Sequence, residues 1–94
     1  MKKDSIFINT TRGDCVNQDD LYDILKNGDI LAAGLDVTTP EPISKDHKLL
    51  TLDNCLILPH LGSATKNCRD DMGILAAQNI ISFFEGKKIP AKVE

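Results

Sequence analysis

The sequence predicts an α/β fold built on a parallel sheet. Three observations carry that expectation. Three short apolar runs read as strands, at 5–9, 30–37 and 55–58. Two helical patterns follow the first and third of them, at 17–28 and 65–85. Polar residues gather just past the end of each run. Strands that alternate with helices belong to crossover units, which set neighbouring strands parallel. Three strands and two helices are too few to cover both faces of such a sheet, so the chain reads as part of a domain.

Each element has its own local signal. Ser5-Ile6-Phe7-Ile8-Asn9 is short, β-branched and aromatic, and stops at Thr10-Thr11-Arg12-Gly13. That pattern predicts a buried strand followed by a loop. Asn17 can cap a helix, and Asp19 and Asp20 suit its positive first turn. Leu21, Ile24 and Leu25 share one helical face, and Gly28 is placed to end the helix in a left-handed conformation. Ile30 to Val37 is apolar on both faces until Asp36, as in a central parallel strand. A long loop with Pro40 and Pro42 runs from Thr38 to about Asp53, and loops beyond about 12 residues are functional or disordered. Cys55-Leu56-Ile57-Leu58 predicts a third buried strand, stopped by Pro59. From Thr65 to Glu85 the residues Met72, Leu75, Ala76, Ile80, Phe83 and Phe84 form an apolar stripe, closed by Gly86. The tail from Lys87 is polar.

Composition narrows the class. The chain is 41% hydrophobic and 27% charged, with a net charge of −3. This balance excludes a disordered tail and a nucleic-acid module, which needs a basic face. No apolar run approaches the roughly 20 residues of a membrane span. The apolar stretch after the basic start, Ile6 to Ile8, falls short of the roughly 7–15 residues of a signal sequence. A soluble intracellular chain is therefore expected. Cys15, Cys55 and Cys68 are odd in number and lack C-x-x-C spacing, which predicts reduced thiols, with Cys55 in the core. His60 and Cys68 are too few to hold a structural metal, so no metal is expected. His47, in a polar loop, reads as solvated, and Asn9-Thr10-Thr11 matches a glycosylation acceptor without a secretion signal to give it meaning.

Ligands of open α/β sheets bind past the carboxyl ends of the strands. Arg12 follows the first run, Asp36 ends the second with Glu41 close behind, and His60 follows the third. Arginine can fork onto a carboxylate, and a carboxylate can orient a histidine for proton transfer. Taken singly, each has a plainer role. Arg12 could bind a helix end, Asp36 could hold a turn, Glu41 could be a solvated loop acid, and His60 could bond backbone in a tight turn. The combination is what favours chemistry.

Four motifs stand in order: Ile8-Asn9-Thr10-Thr11-Arg12-Gly13, Ala33-Gly34-Leu35-Asp36-Val37, Pro40-Glu41-Pro42, and Leu58-Pro59-His60-Leu61-Gly62-Ser63-Ala64-Thr65. Together they resemble the D-isomer-specific 2-hydroxyacid dehydrogenases, and within them the branch acting on glyoxylate and hydroxypyruvate. The resemblance spans essentially the whole chain and corresponds to the C-terminal portion of such an enzyme. It implies the C-terminal part of a Rossmann-like doubly wound parallel sheet over 1–64. From 65 to 94 it implies a return helix and tail toward the substrate domain. The implied activity is NAD(P)H-dependent reduction of a short 2-oxo acid to the D-2-hydroxy acid. By the family pattern, Arg12 binds substrate, Glu41 is the partner of the histidine, and His60 is the proton donor. Thr10, Asp36 and Gly62 match positions on the cofactor, and Ser63 joins Arg12, Asp36 and His60 around the substrate. Thr10 and Thr11 stand where relatives often have serine. The family also implies a cytoplasmic homodimer with no nucleic-acid or membrane partner.

One family element is absent from these residues. Gly13, Gly28, Gly34, Gly62, Gly73 and Gly86 include no pair spaced for G-x-G-x-x-G, the turn that lets backbone approach a pyrophosphate. The family carries that turn upstream, so NADP or NAD is expected to be held mainly by an upstream half. Met1 then reads as an internal methionine of a longer parent. The alternative function is a non-catalytic fragment or interaction module, inactive alone.

Overall fold

A computed structural model describes residues 1–93. It divides into two compact units, one spanning Met1–Gly62 and one beginning at Ser63.

The first unit holds β1 (Ile6–Asn9), α1 (Gln18–Lys26), β2 (Ala32–Leu35) and β3 (Cys55–Ile57). The strands form a parallel sheet in the order β1-β2-β3, with Ile8 opposite Gly34 and Gly34 opposite Leu56. This is the expected α/β arrangement. α1 starts where its capping signal lies: Asn17 Oδ1 accepts the N–H groups of Asp19 and Asp20. It ends as Gly28 takes φ +70°, and the Asp29 N–H reaches back to the Ile24 carbonyl at 2.9 Å. That bond ties off a carbonyl the helix leaves open.

Strand side chains alternate between faces. Leu21 and Leu25 of α1 pack with Ile30, Ala33, Leu35 and Leu49 into one core, against which Phe7, Cys55 and Ile57 also rest. The opposite face departs from expectation. β1 and β3 read as buried strands, yet Ile6, Ile8 and Leu56 are 57%, 63% and 62% exposed. One face of the sheet is covered and the other bare, because α1 and the following loop pack on the same side.

The long loop also differs from the sequence reading. It contains a 3-10 turn, Lys48–Thr51, that buries Leu49 completely. His47 caps that turn: its Nδ1 accepts the Leu49 N–H at 3.2 Å. The ring is therefore half-buried and engaged, not solvated. A second 3-10 turn, Gly13–Cys15, follows β1.

The second unit is built on α2 (Lys66–Phe84), capped by Thr65, whose hydroxyl accepts the Cys68 N–H at 3.3 Å. It closes at Gly86, with φ +67°. No residue of α2 is buried. Ile74 and Ile81 lie, at 100° per residue, across the helix from the expected stripe. Apolar groups thus run around the helix instead of along one face. Among the described residues, no helix is long and apolar enough to cross a membrane.

Candidate active site

Side chains at the ends of β1 and β2 fix the loops that present the polar residues. At the end of β1, Asn9 is buried and fully engaged. Its Oδ1 accepts both the Thr11 N–H at 3.0 Å and the Thr11 hydroxyl at 2.8 Å, while its Nδ2 donates to the Arg12 carbonyl at 2.9 Å. This Asx-type turn shapes the loop that carries Thr10 and Arg12. It also removes Asn9 as a glycosylation acceptor, since its amide is buried and bonded.

At the end of β2, Asp36 is buried, and its backbone N–H continues the ladder to Asn9 at 2.9 Å. Its carboxylate reaches the loop after β3. Oδ1 accepts the Leu61 N–H at 2.6 Å and Oδ2 accepts the Gly62 N–H at 2.8 Å. Charged acceptors on backbone N–H groups make strong bonds. They hold this loop while His60 sits at φ +55°, a left-handed conformation that a non-glycine residue keeps only when its surroundings impose it.

His60 meets Glu41 there. Nδ1 of the ring and Oε1 of the carboxylate are 2.6 Å apart, and both side chains are about two-fifths exposed. An ionised carboxylate only accepts, so Nδ1 carries the proton of this bond and Nε2 is the ring nitrogen left free for other chemistry. An open groove of about 420 Å³ adjoins the pair, lined by Asp36, Thr38, Glu41, Pro42, Leu50 and Leu58.

The structure therefore joins Glu41 to His60, and Asp36 to Gly62 in the same loop, through direct hydrogen bonds. Arg12 and Thr10 are exposed beyond β1. The Arg12 guanidinium donates to the Thr11 carbonyl at 2.7 Å. Among the described residues, no hydrogen bond or ion pair links Arg12 to His60 or Glu41. Ser63 opens the second unit. Sequence reasoning missed Asn9 and Gln18. Gln18 pairs with Thr39 backbone on the approach to Glu41, accepting its N–H at 2.9 Å and donating to its carbonyl at 2.7 Å. A polar residue closing a strand before a turn was the available signal for Asn9; none marked Gln18.

The sequence profile of the D-isomer specific 2-hydroxyacid dehydrogenase, NAD binding domain, matches residues 1–62, the whole first unit. The chain belongs to the D-isomer-specific 2-hydroxyacid dehydrogenase family. It is 54% identical over all 94 residues to human glyoxylate reductase/hydroxypyruvate reductase, covering 29% of that protein. It is 49% identical over 86 residues to glyoxylate/hydroxypyruvate reductase B of Cronobacter sakazakii, covering 92% of this chain and 26% of the relative. Among solved structures, a Thermus thermophilus protein matches with a TM-score of 0.86 and 40% identity, over 100% of this chain and 30% of that one. The NADPH-dependent glyoxylate/hydroxypyruvate reductase of Sinorhizobium meliloti, solved with NADP and malonate, matches with a TM-score of 0.86 and 34% identity, over 97% and 28%. The chain spans less than a third of the length of each of these relatives.

The family's dinucleotide can be tested against the residues of this dehydrogenase segment. Its pyrophosphate does not fit α1. Asn17 already occupies the free N–H groups of the first turn, and Asp19 and Asp20 place negative charge there. Phosphate needs the reverse, open N–H groups and a positive field. The strand ends carry other groups. Thr10 is exposed past β1. Past β2 the Asp36 carboxylate accepts the Gly62 N–H, so that a Cβ added at Gly62 would stand 3.1 Å from Asp36 Oδ2 and crowd it.

Proposed function

We infer that this chain carries the proton-transfer site of an NAD(P)H-dependent reductase of short 2-oxo acids, glyoxylate or hydroxypyruvate, which yields the D-2-hydroxy acid. The observation that supports it most is the 2.6 Å bond between His60 Nδ1 and Glu41 Oε1 at the carboxyl end of a parallel sheet. When bound, the nicotinamide supplies hydride to the substrate carbonyl carbon. His60 donates the balancing proton from Nε2 to the carbonyl oxygen as that oxygen becomes a hydroxyl. Glu41 fixes the ring through Nδ1 and offsets the positive charge the ring bears when it holds both protons, the logic of a carboxylate-oriented histidine. Arg12 forks onto the substrate carboxylate, which anchors C2 and polarises its carbonyl. Ser63 contributes a hydroxyl beside the substrate, and Asp36, besides holding the loop, faces the nicotinamide side with Thr10 and Gly62. Family membership supports a cytoplasmic homodimer for the whole protein. It also supports a division in which 1–64 completes the nucleotide-binding domain and 65–94 returns toward the substrate domain.

Human glyoxylate reductase/hydroxypyruvate reductase offers the test. Its matching segment is replaced by these 94 residues, and NADPH oxidation with glyoxylate and hydroxypyruvate is followed. Turnover that depends on His60 and Glu41 is expected. A folded, NADPH-binding chimera that turns over equally well without either side chain would overturn the reading.

A further inference from the structure

Glu41 is useful to His60 only if it is held in place, yet it sits on an exposed loop with no regular structure of its own. The structure ties that loop down two residues earlier. The side-chain amide of Gln18 lies against the backbone of Thr39 as a neighbouring strand would, accepting its N–H at 2.9 Å and donating to its carbonyl at 2.7 Å. The Thr39 hydroxyl donates to Asp14 Oδ1 at 2.7 Å. One residue before, Thr38 is buried, with its backbone so close to Gly13 that any side chain there would collide with it. Beyond Thr39, Pro40 and Pro42 restrict backbone rotation on either side of Glu41.

These contacts run in one direction. Asn17 caps α1 and fixes the Cα of Gln18, the first helical residue. Gln18 fixes Thr39, and the proline-flanked stretch after Thr39 carries Glu41 to within 2.6 Å of His60. Thr39 is exposed, so water would satisfy its backbone groups if Gln18 were absent. What Gln18 adds is a location rather than a missing bond. We propose that Gln18 is a positioning residue for the His60–Glu41 pair, acting through Thr39. The proposal rests on the reading of that pair as the proton-transfer site. Asp36 does the corresponding work for His60 from the end of β2, so the two halves of the pair are anchored on different elements.

The test uses the 94-residue chain labelled uniformly with ¹⁵N, read at the histidine ring nitrogens and the backbone amides. His47 lines the same groove as Gln18 and Thr39, so the internal control is the amides of Ala33 and Cys55, in β2 and β3. Glu41→Gln is expected to displace the His60 ring-nitrogen signals and leave those amides in place. Gln18→Ala should displace His60 in the same direction, again without moving the control amides. Gln18→Glu keeps an acceptor for the Thr39 N–H but sets its second oxygen against the Thr39 carbonyl, so it should displace His60 as well. If Gln18→Ala leaves His60 at its original position while Glu41→Gln moves it, Gln18 does not position the pair. If Gln18→Ala moves the control amides along with His60, the residue supports the whole unit and the proposal fails. A His60 signal indifferent to Glu41→Gln would instead defeat the underlying reading of the pair.

Discussion

Asp36 and Gly62, 26 residues apart, are joined by a 2.8 Å hydrogen bond from the Gly62 N–H to Asp36 Oδ2. With the matching bond from Leu61, the carboxylate at the end of the central strand grips the loop that carries His60. The oxygen pair is matched to two donors, which sets up a clean substitution.

Asp36→Asn keeps the shape and removes one acceptor, turning an NH₂ group onto a backbone N–H. We expect a loss of about 1–3 kcal/mol, the scale of a buried donor left unpaired. Amide hydrogen exchange at Leu61 and Gly62 should accelerate well beyond that of the β2 amides. Unchanged exchange at those two positions would show that the carboxylate does not hold the loop.

His60→Asn in the chimeric reductase removes the proton donor while leaving a polar side chain of similar reach. Turnover should fall by about 10²–10⁴, the usual range for general acid catalysis, with little change in NADPH affinity. Turnover within about threefold of the parent chimera would place the proton donor elsewhere.

Cys55 differs from the other two thiols. Cys15 and Cys68 are exposed, whereas Cys55 is half-buried behind the sheet, and burial pushes its thiol pKa upward. A raised value in the folded state means the neutral thiol contributes stability at neutral pH, and that contribution is lost as pH rises through the folded value. Alkylation with iodoacetamide at mildly alkaline pH should therefore modify Cys15 and Cys68 first and Cys55 last. More strongly alkaline pH should then weaken the wild type more than a Cys55→Ala variant. Equal reactivity of all three thiols would contradict this.

Leu49→Ala tests whether the 3-10 turn belongs to the core. The side chain is completely buried among Leu21, Leu25 and Ile30. Truncation of such a leucine costs about 2–5 kcal/mol. Chemical denaturation followed through the Tyr22 signal should show it. A loss under about 1 kcal/mol would mean the loop is only laid over the core.

The sequence discloses those features whose signals are local. Asn17, Asp19 and Gly28 state the bounds of α1 because capping depends on neighbours along the chain. Asp36 and His60 are visible because they interrupt or follow apolar runs, and Glu41 because two prolines bracket it. Features that depend on distant partners are not visible. Gln18 looks like any exposed helix residue until Thr39, 21 positions away, is folded against it. Leu49 sits in a polar stretch whose periodicity says nothing of burial. The bare face of β1 and β3 is illegible for a related reason. An apolar run records that both sides of a strand favour cover, and it does not record whether this chain provides it.

That bare face sets how the protein behaves at the bench. Ile6, Ile8, Leu56 and Leu58 leave a band of hydrocarbon against water on the sheet. Ammonium sulfate strengthens the tendency of such surface to leave solvent. The chain should consequently bind tightly to a phenyl resin and salt out early.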